Sequence, residues 1–173
     1  RQRGIRDSLG GTINRVPKRA PAEGLTRLTA GYESSAAGYF AADVGRRFGT
    51  DNATGIRGNV AYRNGETSVE DQERELTVLS FGIDHQGEKF RLAADVGYQD
   101  HHIDAPRPSV SPAFGATALP SAPDADGNFA QPWPYTDEEQ FFGVVRAEYD
   151  ITDAVAVRGA VGMRSAAEYN VLA

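Results

Sequence analysis

Cysteine is absent from the 173 residues, lysine occurs only at Lys18 and Lys89, and histidine occurs only three times. The first absence excludes disulfide frameworks, thiolate metal sites and cysteine nucleophiles together. The scarcity of histidine leaves few groups to serve as bases near neutral pH. No Walker loop, dinucleotide fingerprint or nucleophile elbow is present. The carboxylates of Glu70-Asp71-Gln72-Glu73 fall in a polar stretch that reads as a solvated loop. Neither an enzyme nor a resident cofactor is expected. A formal net charge of −6 argues against a nucleic-acid partner, whose phosphates require a basic patch. No apolar run is long enough for a transmembrane helix. Arg1 to Asp7 carries charges without the apolar core of a signal peptide, and Tyr169 to Ala173 closes no recognisable element. Both ends are expected to be cut ends of something longer.

What the chain does have is period-two alternation, the period of a β-strand. In Lys89 to Gln99, Phe90, Leu92, Ala94, Val96 and Tyr98 share one face, and Arg91, Ala93, Asp95, Gly97 and Gln99 the other. That length matches the roughly 9–11 residues with which a tilted strand crosses a bilayer. The same design recurs in Tyr39 to Phe48 (interrupted by Arg46), Gly55 to Arg63, Leu76 to Asp84, Gln140 to Asp150 and Val155 to Arg164, and more weakly in Leu25 to Tyr32. Mean hydropathy is negative, but a barrel strand hides its lipid face in every second residue, so an average underestimates it.

The connections are of two kinds. Short ones follow Phe48, Asp84 and Asp150; longer polar ones, Asn64 to Glu75 and Asp100 to Glu139, fall mostly between them. Glu33 to Gly38 is short but lies on the long-loop side. Short turns at one end and long loops at the other are the signature of an outer-membrane barrel. Asp100 to Glu139 contains seven prolines (Pro106, Pro108, Pro112, Pro120, Pro123, Pro132 and Pro134), so it is not regular sheet throughout. The expected fold class is all-β: an antiparallel transmembrane β-barrel fragment of about seven meandering strands, an incomplete barrel.

Three stretches carry a family resemblance. Gly10-Gly11-Thr12-Ile13-Asn14, running on to Pro21, resembles the segment that closes the plug of TonB-dependent siderophore receptors and leads into their first barrel strand. Asn128-Phe129-Ala130-Gln131-Pro132-Trp133-Pro134-Tyr135 is similar to a Gln-Pro-Trp-x-Tyr stretch in an extracellular loop of that family. Gly143 to Asp150 is similar to the strand that follows this loop. The likeness in character and order runs from about Gly10 onward. One departure is Arg3-Gly4, which resembles an Arg-Gly segment of the late plug but stands too close to Gly10, so either the plug end is shortened or the first residues belong to a broken reading frame.

The resemblance implies that residues 1–22 are the C-terminal end of a plug domain and its linker. Residues 23–173 would be the first strands of the barrel, with a long extracellular loop at about 100–139. It further implies a barrel of about 22 strands around a plug, in the outer membrane of a Gram-negative bacterium and in contact with its lipid. The implied partners are a ferric siderophore taken from outside and the TonB complex, reached through an N-terminal part that this chain lacks. Two rivals are a non-transporting barrel acting as an adhesin or structural protein, and a soluble β-rich binding domain. Gly10 to Asn14 counts against the first, because a plugless barrel needs no such lead-in.

Within this frame, Phe129, Trp133 and Tyr135 are the candidate ligand-binding residues, since rigid aromatics with a few polar groups suit a chelate at a barrel mouth. The competing reading is that they pack the loop on itself or on the rim. Arg57, Arg63, Arg91, Asp95, Arg146, Glu148 and Arg158 are expected to pair across strands or with the plug in a wetted interior. His101-His102, with Asp100 and Asp104 beside them, form the only paired ligand candidate. Adjacent strand residues point to opposite faces, so no metal site is expected there. Asp124-Ala125-Asp126-Gly127-Asn128 resembles a calcium loop only in its alternating oxygens; its glycine comes too early and the bidentate Glu is missing.

Overall fold

The computed structural model describes residues 17–33, 36–112, 114–115 and 121–171. The Gly10 to Asn14 segment lies outside them. Seven strands follow one another in chain order: β1 (Leu25–Glu33), β2 (Ala37–Phe48), β3 (Thr54–Glu66), β4 (Glu73–Gln86), β5 (Phe90–Asp104), β6 (Tyr135–Thr152) and β7 (Val155–Val171). Each pairs antiparallel with the next, giving one seven-stranded meander. The ladder is regular apart from one shift between Asp150 and Thr152 at the β6–β7 turn.

The register aligns the alternating residues of every strand into continuous rows. Ala42, Val60, Leu79, Tyr98 and Phe141 form one; Val44, Gly58, Phe81, Val96, Gly143 and Met163 form the next; Ile56, Ile83, Ala94, Val145 and Val161 form a third. These rows make an apolar face that no other layer of the described chain covers. Phe81 keeps 48% of its surface exposed and Val161 72%, and the only buried hydrophobic residues among those described are Ala20, Ala37 and Ala105. A soluble sandwich would bury such a face against a second sheet. A sheet whose solvent on that side is lipid has no need to.

Aromatic rings border the apolar face in pairs eight residues apart on three strands: Phe40 and Phe48, Phe90 and Tyr98, Phe141 and Tyr149. Across the ladder Phe40 faces Tyr62, Tyr98 faces Phe141, and Phe90 faces Tyr149. The rings therefore form two belts, one at each rim of the band, as barrel strands require at the two interfaces.

Several strands run well past the alternating segments. β5 continues from Gln99 to Asp104, β6 begins at Tyr135, and β7 continues to Val171. Beyond the Tyr62–Tyr98–Phe141 belt the outward rows turn polar, as in Glu75, His102 and Asp137, while the hydrogen-bonded ladder goes on. Hydrophobic alternation therefore stops at the aromatic belt, not where the strand stops. In consequence the connections at this end are 34–36, 67–72 and 105–134; the other end is closed by 49–53 (with a single 3-10 turn, Thr50–Asn52), 87–89 and 153–154.

Arg46, which interrupts the apolar alternation, stands in the row of Ile56 and Ile83. Its guanidinium reaches sideways and donates to the Leu25 and Gly45 carbonyls and to Thr26 Oγ1. A charge on the outer face is thus spent on backbone acceptors near the edge strand rather than left facing lipid.

Candidate functional site

The polar face is a lattice of arginine–aspartate pairs built across neighbouring strands. Arg57 on β3 grips Asp43 on β2 through Nε at 2.8 Å and Nη2 at 2.6 Å. Arg47 on β2 reaches over the sheet to Asp84 on β4 at 2.8 Å. Asp95 on β5 is the one buried charged residue among those described, 5% exposed. It takes Arg146 Nη1 from β6 at 2.7 Å and both Nη atoms of Arg19 at 2.8 Å. A carboxylate so enclosed is tolerated because guanidinium donors reach both its oxygens, one of them shared between two arginines. Nearer the short-turn end Arg91 holds Glu148 and Asp150, both at 2.6 Å. Arg158 stands 3.9 Å from Glu148 and is largely exposed. At the opposite end Arg63 pairs with Glu33 at 2.9 Å and lies 5.5 Å from the centre of the Tyr39 ring.

Arg19 belongs to the stretch preceding β1, and that stretch lies against this face. Arg57 Nη1 donates to the Arg19 carbonyl at 2.8 Å, and Arg47 Nη1 to the Ala20 carbonyl at 3.2 Å. Glycines supply the clearance. A Cβ on Gly45 would stand 3.2 Å from Ala20 Cβ; one on Gly82 would stand 2.8 Å from Asp95 Oδ1. One on Gly55 would stand 2.5 Å from Arg47 Nη1. Strand-interior glycine is disfavoured unless something approaches closely, and here an ion pair or the incoming chain does. The lead-in stretch turns into β1 through a Gly24 N–H bond to the Pro21 carbonyl, 3.1 Å.

At the long-loop end the described part of 105–134 is docked onto the 67–72 connection. Asn128 Nδ2 donates to the carbonyls of Glu70 and Ala105, 2.9 Å each, and its Oδ1 accepts from the Ala130 N–H at 3.0 Å. Glu70 N–H bonds the Asp126 carbonyl at 2.8 Å, and Ala105 N–H the Pro134 carbonyl at 2.9 Å. Arg107 Nη2 donates to the carbonyls of Ala125 and Gly127. The Asp124–Asn128 stretch therefore turns around an arginine. Phe129 and Trp133 follow these anchors and are more than half exposed, 57% and 55%. Tyr135 is different: it opens β6 instead of lying in the loop, stands in the outward row opposite Asp104, and stacks on His102 with ring centres 5.8 Å apart. No ring stacking joins the three aromatics to one another among the described residues. His101 and His102 are separated as alternation requires: His101 lies on the polar face beside Glu138 at 3.4 Å, and His102 faces outward between Asp137 and Asp104.

Comparison with known proteins gives the fold its relatives. No family model matches the chain. It is 44% identical over 154 residues to the ferrichrome receptor FcuA of Yersinia enterocolitica, an alignment covering 89% of this chain. The crystal structure of BauA, the ferric preacinetobactin receptor from Acinetobacter baumannii, superposes with a TM-score of 0.88 at 33% identity over 92% of this chain. The chain belongs to the TonB-dependent siderophore receptor family. It spans 20% of the length of the FcuA sequence and 24% of the BauA chain. The pyoverdine receptor FpvA from Pseudomonas aeruginosa PAO1 shares the fold at 20% identity, with a TM-score of 0.78 over 95% of this chain and 24% of that one.

As a segment of such a receptor the sheet lies in the outer membrane. Its apolar face meets lipid and its polar face the lumen. The rival readings, a soluble domain and an adhesin or structural barrel, give way to a receptor segment. The lumen charges named from sequence lie on the lumen face as expected, and most of them pair. Sequence reasoning did not single out Arg19, Arg47, Asp43 and Asp84, nor the glycines beneath the pairs. The available signal was that Gly45, Gly55 and Gly82 share the face of the charges. Asn128 gave no sequence signal beyond its place beside Phe129.

Proposed function

We propose that this chain is the part of a ferric-siderophore receptor that supplies early barrel strands, the end of the plug-to-barrel lead-in and one long extracellular loop. The whole receptor binds a ferric chelate outside the cell and imports it with energy delivered by TonB through the plug portion. The observation that carries this reading is the docking of residues 19–20 on the lumen face of a lipid-facing sheet, the arrangement a plugged barrel needs and an open one does not. Support comes also from the likeness to proteins named as receptors for ferrichrome and for ferric preacinetobactin. Phe129 and Trp133 are the residues of this chain proposed to touch the chelate; Tyr135, committed to the outward row, is left out of that set.

The test is radioiron uptake by cells that lack their own siderophore receptors and express the full-length receptor. Ferrichrome and ferric preacinetobactin serve as separate probes, each with and without functional TonB. Uptake of at least one ferric chelate that disappears without TonB is expected. Correct outer-membrane display without uptake of any ferric chelate, across a panel of hydroxamate, catecholate and mixed types, would overturn the reading.

A further inference from the structure

We propose that Arg19 and Ala20 are a fixed anchor of the lead-in on the barrel wall, with Asp95 as its positioning residue, so that any plug movement during transport ends upstream of Arg19. This rests on the transport reading above and adds a mechanical boundary to it. The grip comes from five strands. β2 contributes Arg47 on the Ala20 carbonyl and Gly45 beneath the Ala20 methyl; β3 contributes Arg57 on the Arg19 carbonyl. β4 contributes Gly82, beneath the Arg19–Asp95 pair; β5 contributes Asp95 itself; β6 contributes Arg146, which holds Asp95 from the other side.

Three features distinguish an anchor from a passing contact. Arg19 meets Asp95 as a two-pronged fork, the geometry that fixes orientation as well as distance. Asp95 is 5% exposed and Ala20 equally so, so on the wall side release would leave a desolvated carboxylate short of a partner. Two of the backbone carbonyls of the lead-in are held by arginines whose other nitrogens are occupied by Asp43 and Asp84, so the gripping residues are themselves held. Detaching the segment would break its contacts with Asp95, Arg57 and Arg47 together, while the strand-to-strand pairs stay in place.

A disulfide at this contact separates a fixed anchor from a moving one. In a full-length receptor otherwise free of cysteine, Ala20→Cys and Gly45→Cys are introduced together, and closure is verified by gel mobility with and without reductant. Ferrichrome uptake is compared in the oxidised and reduced forms. Equal uptake is expected; uptake that falls on oxidation and returns on reduction would show that the segment must move, and would overturn the anchor. A second measurement needs neither the disulfide nor a ligand. Amide exchange of residues 17–24 in the ligand-free receptor is expected to accelerate at least tenfold in Asp95→Asn and to recover in part in Asp95→Glu. Unchanged exchange in Asp95→Asn would equally overturn the anchor. A receptor that imports no chelate in any form, yet shows the expected exchange, would remove the transport reading and leave the anchor standing.

Discussion

Asp95 carries two guanidinium groups at a position almost closed to solvent, and its loss is felt at both. Truncation to Ala leaves Arg19 and Arg146 without their counter-charge; because these two keep 27% and 40% of their side-chain surface exposed, water compensates part of the loss and the cost is about 1–2 kcal/mol. Urea unfolding of the full receptor in bilayers should show a loss of that order, against a much smaller one for the exposed Arg158→Ala. Equal losses would mean that burial contributes nothing at Asp95. Trp133 is the residue-scale test at the mouth. An aromatic contact contributes about 1 kcal/mol beyond its buried area, so Trp133→Ala should weaken ferric-chelate binding roughly fivefold or more with surface display unchanged. Unchanged affinity would take Trp133 out of the site. His102 lies four residues beyond the Tyr98 belt, outside the band that crosses the membrane. Its hydrogen bond to Asp137, then those to Asp104, raise its pKa above the ordinary histidine value. A raised folded value means that the stabilisation is complete below the ordinary value of about 6.5 and is lost as pH rises through the raised one. Histidine NMR should place the titration of His102 above that of a free imidazole, and Asp137→Asn should move it down; a His102 that titrates as in a free peptide would refute the pairing.

At the scale of the element, the two faces of one strand predict opposite responses to the same change. On β4, Phe81 stands in the middle of the outward band and Ser80 on the lumen face. Phe81→Arg should destabilise the receptor by roughly 2–4 kcal/mol, as a cation does at the bilayer midplane, whereas Ser80→Arg should be tolerated in the wetted lumen. Similar losses at both positions would refute the assignment of faces. This alternation was the part of the fold most legible in sequence, because lipid on one side and water on the other write their demands into every second residue. The extension of β5 to Asp104 and the start of β6 at Tyr135 were not legible for the same reason: outside the bilayer both faces are polar, so nothing in the composition distinguishes a paired strand from a loop. The docking of Arg19 was equally invisible. It joins residues 76 positions apart, and only the register shows that Gly82 leaves room for it. The loop aromatics were legible as residue types but not as a group, since the position of Tyr135 depends on where β6 begins.

For the whole molecule the edges matter most. β1 and β7 each offer one row of backbone groups with no partner among the described residues. In hydrocarbon every such group costs several kcal/mol, and an exposed edge in water invites pairing with another chain. Residues 1–173 expressed alone should therefore fail to insert as a monomer and should aggregate in detergent-free buffer, while the full receptor, with further strands against both edges, should not. A monomeric, reversible unfolding transition of the isolated chain, followed by light scattering and circular dichroism, would contradict this. The lattice of charges on the lumen face does not rescue such a piece, because it holds strands to each other and to the lead-in without covering either edge.

The aromatic belts set a length as well as a boundary. Eight residues separate the two rings on each of β2, β5 and β6, about 26 Å of strand, or roughly 20 Å of membrane normal at the tilt usual for barrels. The hydrocarbon of an average bilayer is about 30 Å thick, and that of the bacterial outer membrane is thinner. The ring spacing is thus a gauge of the host membrane. In vesicles of graded acyl length, hydrophobic mismatch should make insertion most efficient in short-chain lipids. Long-chain lipids would have to thin around the protein, so the same sequence that fits its own membrane would be a poor fit for a thicker one.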